Sequence, residues 1–136
     1  RDPALTGAGQ PRAKQLATWL GNKEIHKVWS SDYQRTRDTA APLLDSSGLE
    51  LAIYDPRNQG ALAGKLLWEK QNAVIVGHSN TVPTLIADLG ASKKVKPIAH
   101  DEFDNIYIIS IPWFGKTKTI RLRYGEPYTG APAAEI

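Results

Sequence analysis

The chain has 136 residues, 41% hydrophobic and 23% charged, which fits one globular domain and excludes a disordered or fibrous chain. Its net charge of +3 slightly favours anionic partners, but the basic residues lack the interleaved aromatics of a nucleic-acid surface. No apolar run approaches the length that crosses a bilayer, and the absence of cysteine excludes disulfides.

The first half of the chain alternates helical and strand patterns. Apolar residues at helical spacing predict a first helix with one apolar face: Ala13, Leu16, Ala17 and Leu20. Gly21 ends that helix. The next elements in chain order are a strand over 26–31, a helix over about 33–44, and a strand over 49–54.

The second half continues this alternation and then changes to an antiparallel pattern. After a turn at 55–60 come a helix over 61–70, a buried strand over 73–76, and a helix over 80–89. The strongest β pattern covers 105–111, and the segment 117–124 is predicted to pair with it across a turn at 113–116. The tail, residues 124–136, is predicted to be irregular.

Strands that alternate with helices predict a mostly parallel central sheet with helices on both faces. The fold class is therefore α/β, a three-layer α/β/α sandwich with an antiparallel C-terminal strand pair. With no repeat and no linker in the sequence, residues 1–136 are expected to form a single domain.

Polar residues follow two of the strands where the next helix begins. One junction reads SSD over residues 30–32 and leads to Arg35, and the other reads GHS over residues 77–79 with His78 at its centre. The carboxyl ends of parallel strands meet at one edge of a sheet, where such folds bind their ligands. Helix N-termini at that edge present free backbone amides and a positive dipole to an anion. We therefore expect Arg35 and His78 to form a phosphate pocket.

Three segments, in matching order, resemble the histidine phosphatase superfamily, which has the phosphoglycerate-mutase-like fold. The segment DPALTGAGQPRAKQLATWL (2–20) resembles the Leu-Thr and Gly pattern of its first helix. The segment VWSSDYQRTRDTAAPL (28–43) resembles its Ser-Ser-x-x-x-Arg-Thr-x-x-Thr-Ala motif, with Arg35 at the phosphate-binding arginine. The segment VIVGHSNTV (74–82) resembles the motif that carries its second pocket histidine, here His78.

One motif of the family is missing from this match. An Arg-His-Gly or Arg-His-Ala run ends the family's first strand, ahead of the Leu-Thr segment, so the resemblance implies a nucleophilic histidine and a first pocket arginine upstream of Arg1. Because that strand lies inside the family's sheet, its loss would expose strand edges and core. We therefore expect a natural upstream segment, without which the chain would be a poor phosphatase.

The resemblance implies a phosphatase that forms a phosphohistidine, which water then hydrolyses. Arg35 would hold phosphoryl oxygens bidentately, and His78 would donate a hydrogen bond to another oxygen. The backbone amide of Ser79 and the side chain of Ser31 are further candidate substrate contacts. This chemistry needs neither a metal nor another cofactor.

The acid that would protonate the leaving oxygen is less clearly marked by the sequence. Asp55 is a candidate because it follows a predicted strand, in the run YDPRNQG over 54–60. Asp101 or Glu102 could serve instead. A turn aspartate with no catalytic role is the structural alternative for Asp55.

Other interpretations stay open for the pocket residues. His78 could cap a helix, and Arg35 could be a solvated charge paired with Asp32 or Asp38. The chain could also be a non-catalytic relative that binds phosphate or a phosphoprotein. The run GHSNT (77–81) resembles a nucleophile elbow, which would make Ser79 the nucleophile of a serine hydrolase, although a threonine replaces the final glycine.

The expected partner is a phosphorylated small molecule or a phosphoprotein, with neither nucleic acid nor membrane involved. The sequence leaves the oligomeric state open. It also leaves open whether the compartment is cytoplasmic or, if a leader has been removed, periplasmic or secreted.

Overall fold

The structure is a computed structural model, which describes residues 4–5, 7, 9–21, 23–91, 95–100, 102–125 and 127–130. Its helices and strands follow one another in this order: α1 (Gly9–Leu20), β1 (Lys27–Ser31), α2 (Gln34–Ser47), β2 (Leu51–Tyr54), α3 (Gln59–Glu69), β3 (Ala73–Val76), α4 (Val82–Asp88), β4 (Asn105–Ser110) and β5 (Lys118–Arg123). The predicted alternation is therefore confirmed. Over the described ranges, none of these helices has both the length and the apolar character needed to span a membrane.

Three parallel strands form the main sheet, in the order β2-β1-β3. In the register of β1, Ser31 lies beside Tyr54 of β2, and Ser30 lies beside Val76 of β3. The carboxyl ends of all three strands therefore reach the same edge of the sheet. Whatever follows each strand is placed there together.

Helices cover both faces of this sheet, because successive side chains of a strand point to opposite sides. Val28 of β1 is fully buried in one core, together with residues of α1 and α2: Ala17, Ala40 and Leu43. Trp29 of β1 points into the other core, against residues of α3, of α4 and of the position just after α4: Leu62, Ala63, Leu85 and Leu89. The three-layer α/β/α architecture is confirmed.

Helices α2, α3 and α4 differ from their sequence predictions. Helix α3 begins at Gln59 and ends at Glu69, whereas the sequence predicts a helix over 61–70. Helix α2 continues past the predicted end at residue 44 to Ser47, since Gly48, with a φ of 72°, supplies a left-handed cap whose N–H donates to the carbonyl of Leu44. Helix α4 begins at Val82 rather than at residue 80, because a turn at residues 78–81 holds the chain first.

Strand β3 is less buried than its apolar sequence predicts. All four of its residues are half-buried, whereas four of the five residues of the central strand β1 are buried. The reason is pairing: among the described residues, β3 has a hydrogen-bonded partner strand on the β1 side alone.

The predicted C-terminal strand pair is confirmed as a separate two-stranded antiparallel sheet of β4 and β5. Ile108 lies opposite Ile120 in this pair. Asp104, just before β4, connects this pair to the segment that follows it. Its carboxylate accepts hydrogen bonds from Arg123 and from the backbone N–H of Tyr128.

The core around Leu43 provides a test of this architecture. Leu43 is fully buried, so Leu43→Ala should lower the free energy of unfolding by about 2–5 kcal/mol through lost burial and a residual cavity. Leu67→Ala on α3 is the matched control, because Leu67 is 39% exposed and should cost well under half as much. Equal losses in urea-induced unfolding would contradict this assignment of the core.

Candidate functional site

The end of β1 supplies the first part of the site. Ser31 is fully buried, and the chain then turns through an extended Tyr33 into α2. Thr36, in the first turn of α2, donates to backbone carbonyls of Ser31 and Tyr33, both at 3.0 Å. These bonds fix the start of the helix and place Arg35 at the edge of the sheet.

The end of β3 supplies the second part. The backbone N–H of His78 donates to Oγ1 of Thr81 at 3.1 Å, and its carbonyl accepts from the N–H groups of Thr81 and Val82. This tight turn fixes the backbone that carries the imidazole. The sequence predicts that the next helix begins at residue 80, but residues 80 and 81 belong to this turn.

Gly77 precedes His78 because a side chain has no room there. A Cβ on Gly77 would lie 2.8 Å from the hydroxyl oxygen of Tyr54, closer than side-chain carbons ordinarily come. Tyr54 is buried at the end of β2, and burial raises the pKa of its hydroxyl to about 12. A neutral phenol and a glycine thus share the space between two strand ends.

Arg35 and His78 converge, as the sequence predicts. Nη2 of Arg35 lies 3.4 Å from Nδ1 of His78. The ring of Tyr33 contacts both groups: its centroid is 4.9 Å from that of the imidazole, edge to face, and 5.0 Å from the guanidinium carbon of Arg35. A guanidinium and an imidazole held together in this way can bind a tetrahedral anion.

The neighbours of His78 disfavour its charged form. Burial, and then the positive charge of Arg35, lower the pKa of His78 below its ordinary value. The imidazole is therefore more readily neutral in the free protein. A bound anion would add the negative charge that this site lacks.

Arg35 has no carboxylate partner among the described residues. The alternative pairing with Asp32 is taken by Arg37, whose Nη1 contacts the Asp32 carboxylate. The guanidinium of Arg35 instead lies against an aromatic ring and the imidazole. This arrangement favours the pocket interpretation of Arg35 over the solvated ion pair.

The two serines predicted as substrate contacts have different positions. Ser31 lies behind the imidazole, with its Oγ 2.7 Å from Nε2 of His78, and it has no exposed surface with which to meet a ligand. Ser79 lies in the turn before α4 rather than in the first turn of that helix. A contact between the backbone amide of Ser79 and the substrate remains a prediction.

Asp55 follows β2 at the same edge of the sheet, but it is engaged with Arg57. Its Oδ1 accepts hydrogen bonds from the backbone N–H and Nε of Arg57 at 2.9 and 3.1 Å. The hydrogen bonds from Arg57 lower the pKa of Asp55, which favours the carboxylate over the acid. Its role as a general acid stays a prediction.

Glu102, another predicted acid, is engaged at the β4–β5 pair. The carboxylate of Glu102 accepts hydrogen bonds from the N–H of Ala99 and from side chains at the β4–β5 pair: Asn105 and Arg121. It also forms an ion pair with Arg123 and is 8% exposed, so it serves as a tie between a loop and the hairpin. Asp101 lies outside the described residues.

Sequence analysis missed three residues of the site: Tyr33, Thr36 and Tyr54. Thr36 stands next to Arg35 in the motif, and its place in the first turn of a helix was the available signal. Tyr54 is the last residue of a predicted strand, but the sequence does not indicate that its hydroxyl reaches Gly77. No sequence signal indicates that the ring of Tyr33 contacts both Arg35 and His78.

Comparison with known families addresses the first part of the chain. The sequence model of the histidine phosphatase superfamily (branch 1) matches residues 1–57, which include β1, β2 and Arg35. The resemblance to the histidine phosphatase superfamily is confirmed. A search of curated proteins gave no match.

Solved structures with the histidine phosphatase fold resemble nearly the whole chain. The native structure of mycobacterial glucosyl-3-phosphoglycerate phosphatase is 17% identical, with a TM-score of 0.59 over 65% of this chain and 68% of its own. The complex of that enzyme with inorganic phosphate is 16% identical, with a TM-score of 0.67 over 93% and 89%. Its complex with VO3 is 15% identical, with a TM-score of 0.67 over 90% and 87%. At these identities the likeness establishes the fold.

The close approach of Gly77 to Tyr54 can be tested with one methyl group. Gly77→Ala should destabilise the protein and perturb the NMR signals of the His78 ring, because the new Cβ must displace the Tyr54 hydroxyl. Gly64→Ala on α3 is the control: a Cβ there meets nothing within 4 Å, and alanine favours a helix by about 0.5–1 kcal/mol. The same effect from both substitutions would contradict the crowding.

The pKa of His78 provides a second test. Because folding lowers this pKa, the unfolded chain binds more protons than the folded one between the two values. Stability should therefore fall as the pH falls through that interval. Arg35→Ala removes one of the two causes and should raise the pKa part of the way, with the effect of burial remaining. An unchanged or lower pKa of His78 in an NMR titration would contradict the proximity of Arg35.

Proposed function

We propose that this chain contains the phosphate pocket of a phosphoric monoester hydrolase of the histidine phosphatase type. The observation that carries the proposal is the approach of Arg35 to His78, 3.4 Å apart, with no described carboxylate bound to that guanidinium. Two positive or hydrogen-bonding groups without a countercharge suit a phosphoryl dianion. The fold shared with a phosphatase adds support.

The geometry supports one proposed contact for each group. The guanidinium of Arg35 presents parallel N–H donors, which suit two phosphoryl oxygens, and His78 presents Nδ1 toward the same space. Structures similar to this chain were obtained with inorganic phosphate and with VO3 bound to the mycobacterial enzyme. We infer that a tetrahedral or trigonal oxyanion binds here between Arg35 and His78.

The proposed reaction proceeds through a phosphohistidine. A histidine nitrogen donates its electron pair to phosphorus while the P–O ester bond breaks, and the leaving oxygen takes up a proton. Water then attacks phosphorus, the N–P bond breaks, and phosphate leaves with the histidine regenerated. Arg35 and His78 stabilise the charge on the non-bridging oxygens in both steps.

We place the attacking histidine upstream of Arg1, as the resemblance implies. The edge of β3 that has no partner strand among the described residues supports this placement, because the last residue of β3, Val76, lies two positions before His78. A parallel strand added at that edge would end beside the pocket. It would also cover the half-buried apolar residues of β3.

The proton for the leaving oxygen is proposed to come from Asp55. Of the candidate acids it is the one that follows a strand of the main sheet at the pocket edge. To act as an acid it would have to lose its hydrogen bonds with Arg57. A phosphate group that attracts Arg57 would have that effect.

The substrate is proposed to be a phosphorylated small molecule or a phosphoprotein. Between β2 and α3 the chain has four residues, 55–58, which leave little room for a lid over the pocket. An accessible pocket suits hydrolysis by water. It is less suited to a mutase, which must retain its substrate during transfer.

Point variants test the proposed phosphatase. We expect the protein that includes the residues encoded ahead of Arg1 to hydrolyse a generic aryl phosphate. Removing His78 or Arg35 by alanine should reduce kcat by about 10²–10³, the usual effect of deleting a charge-stabilising group. Arg37→Ala is the matched control, because Arg37 lies on the same helix but pairs with Asp32. Parent rates in both His78→Ala and Arg35→Ala would overturn the proposed site.

Two alternatives give different results in the same assay. A non-catalytic phosphate-binding relative would bind phosphate through Arg35 and His78 but release none from the aryl ester. A serine hydrolase would lose ester hydrolysis in Ser79→Ala with phosphate binding intact. The structure disfavours the second case, because Ser79 does not have the positive φ of a strained turn and hydrogen-bonds to no histidine in the described chain.

A further inference from the structure

A short chain of hydroxyl groups lies behind the imidazole of His78. Oγ of Ser31 is 2.7 Å from Nε2 of His78 and 3.0 Å from Oγ1 of Thr36. Oγ1 of Thr36 is in turn 3.0 Å from the backbone carbonyl oxygens of Ser31 and Tyr33. Both hydroxyl-bearing residues are buried, so water does not replace these contacts.

The order of donors along this chain follows from Arg35. A guanidinium can only donate, so Nδ1 of His78, 3.4 Å from Nη2 of Arg35, must face it with a lone pair. A neutral imidazole with a free Nδ1 carries its proton on Nε2, which then donates to Ser31. The Ser31 hydroxyl donates onward to Thr36, and Thr36 donates to a carbonyl. Every hydroxyl in the series both donates and accepts.

We propose that Ser31 and Thr36 are positioning residues that hold His78 as the Nε2–H tautomer, and that a tetrahedral dianion binds at Nδ1 together with a proton. The first part concerns the free protein. The second part rests on the proposed function, because it requires the anion to lie between Arg35 and His78.

The need for a proton on Nδ1 of His78 follows from the hydrogen-bond donors that Arg35 and His78 can present to an anion. An oxygen that draws the guanidinium of Arg35 toward itself would meet the lone pair of Nδ1, which repels it. A proton on Nδ1 turns that atom into a donor, and the charges of Arg35 and His78 then match the two charges of the dianion. Because the Nε2–H bond to Ser31 is unaffected, the hydroxyl chain keeps its order.

The surroundings of His78 contain few competing charges. Arg35 and Tyr33 face the imidazole from the start of α2, and Tyr54 lies near Gly77 at the end of β2. Asp32, after β1, pairs with Arg37 of α2, and Asp55, after β2, pairs with Arg57 of the same loop. On the α4 side the contacting residue is Thr81, which does not ionise in this range. Burial, Arg35 and the anion therefore govern the protonation of His78.

Nitrogen NMR of the free protein tests the positioning role. The Nε2 and Nδ1 shifts of His78 in the full protein should report one dominant tautomer, with the proton on Nε2. Ser31→Ala removes the acceptor and Thr36→Val removes the next hydroxyl, so both should increase the Nδ1–H fraction. Ser30→Ala is the control, since Ser30 is equally buried but donates to the Ser31 carbonyl rather than to the ring. A dominant Nδ1–H tautomer in the parent protein, or a tautomer unchanged in both variants, would overturn the inference.

Sulfate tests the coupled proton, because it stays a dianion throughout the pH range of the titration. Sulfate should bind more tightly as the pH falls, by about tenfold per pH unit between the pKa of His78 in the free and bound protein. It should also raise that pKa. The coupling would be overturned if sulfate perturbs Arg35 and His78 but binds with the same affinity at pH 6 and pH 8. Sulfate that leaves both residues unperturbed would overturn the proposed function and the coupling, and the tautomer measurement would still decide the role of Ser31 and Thr36.

Discussion

The site depends on one contact, the approach of the Arg35 guanidinium to the His78 imidazole, with no carboxylate between them among the described residues. Arg35 and His78 lie 3.4 Å apart, and burial makes a second positive charge there costly. The fold imposes this contact through backbone hydrogen bonds at two strand ends, at residues 31–36 and 78–82. A bound dianion would offset the positive charge of Arg35 and so favour the protonated imidazole, which the free protein disfavours.

The parallel sheet is the reason that these two residues meet at all. They are 43 positions apart in the chain, and the hydrogen-bond register of β1 with β3 brings the ends of the two strands together. Parallel pairing needs helices between strands, and α2 and α3 provide the two covering layers. The same alternation that builds the core therefore also assembles the pocket.

The sequence predicts the large features, the helices, the strands and the junctions between them, because each has a recognisable hydrophobic period or turn sequence. Alternating elements gave the sandwich, and polar residues after apolar strands gave Arg35 and His78. The sequence does not predict the details that depend on the direction in which a side chain points. Ser31 was expected to meet substrate but lies behind the imidazole, since the pleat of β1 decides which way it points. The start of α4 was placed two residues too early because Thr81 bonds with His78, and Tyr33 has no pattern of its own.

The contact between Gly77 and Tyr54 has an evolutionary consequence. The phenol oxygen lies where the methyl group of an alanine at position 77 would need to be, so the two positions share one small volume. A side chain at position 77 crowds the phenol, whereas a residue at position 54 without that hydroxyl makes room for it. Among homologous proteins we expect these two positions to vary together, although they are 23 residues apart in sequence and lie at the ends of strands that do not pair with each other.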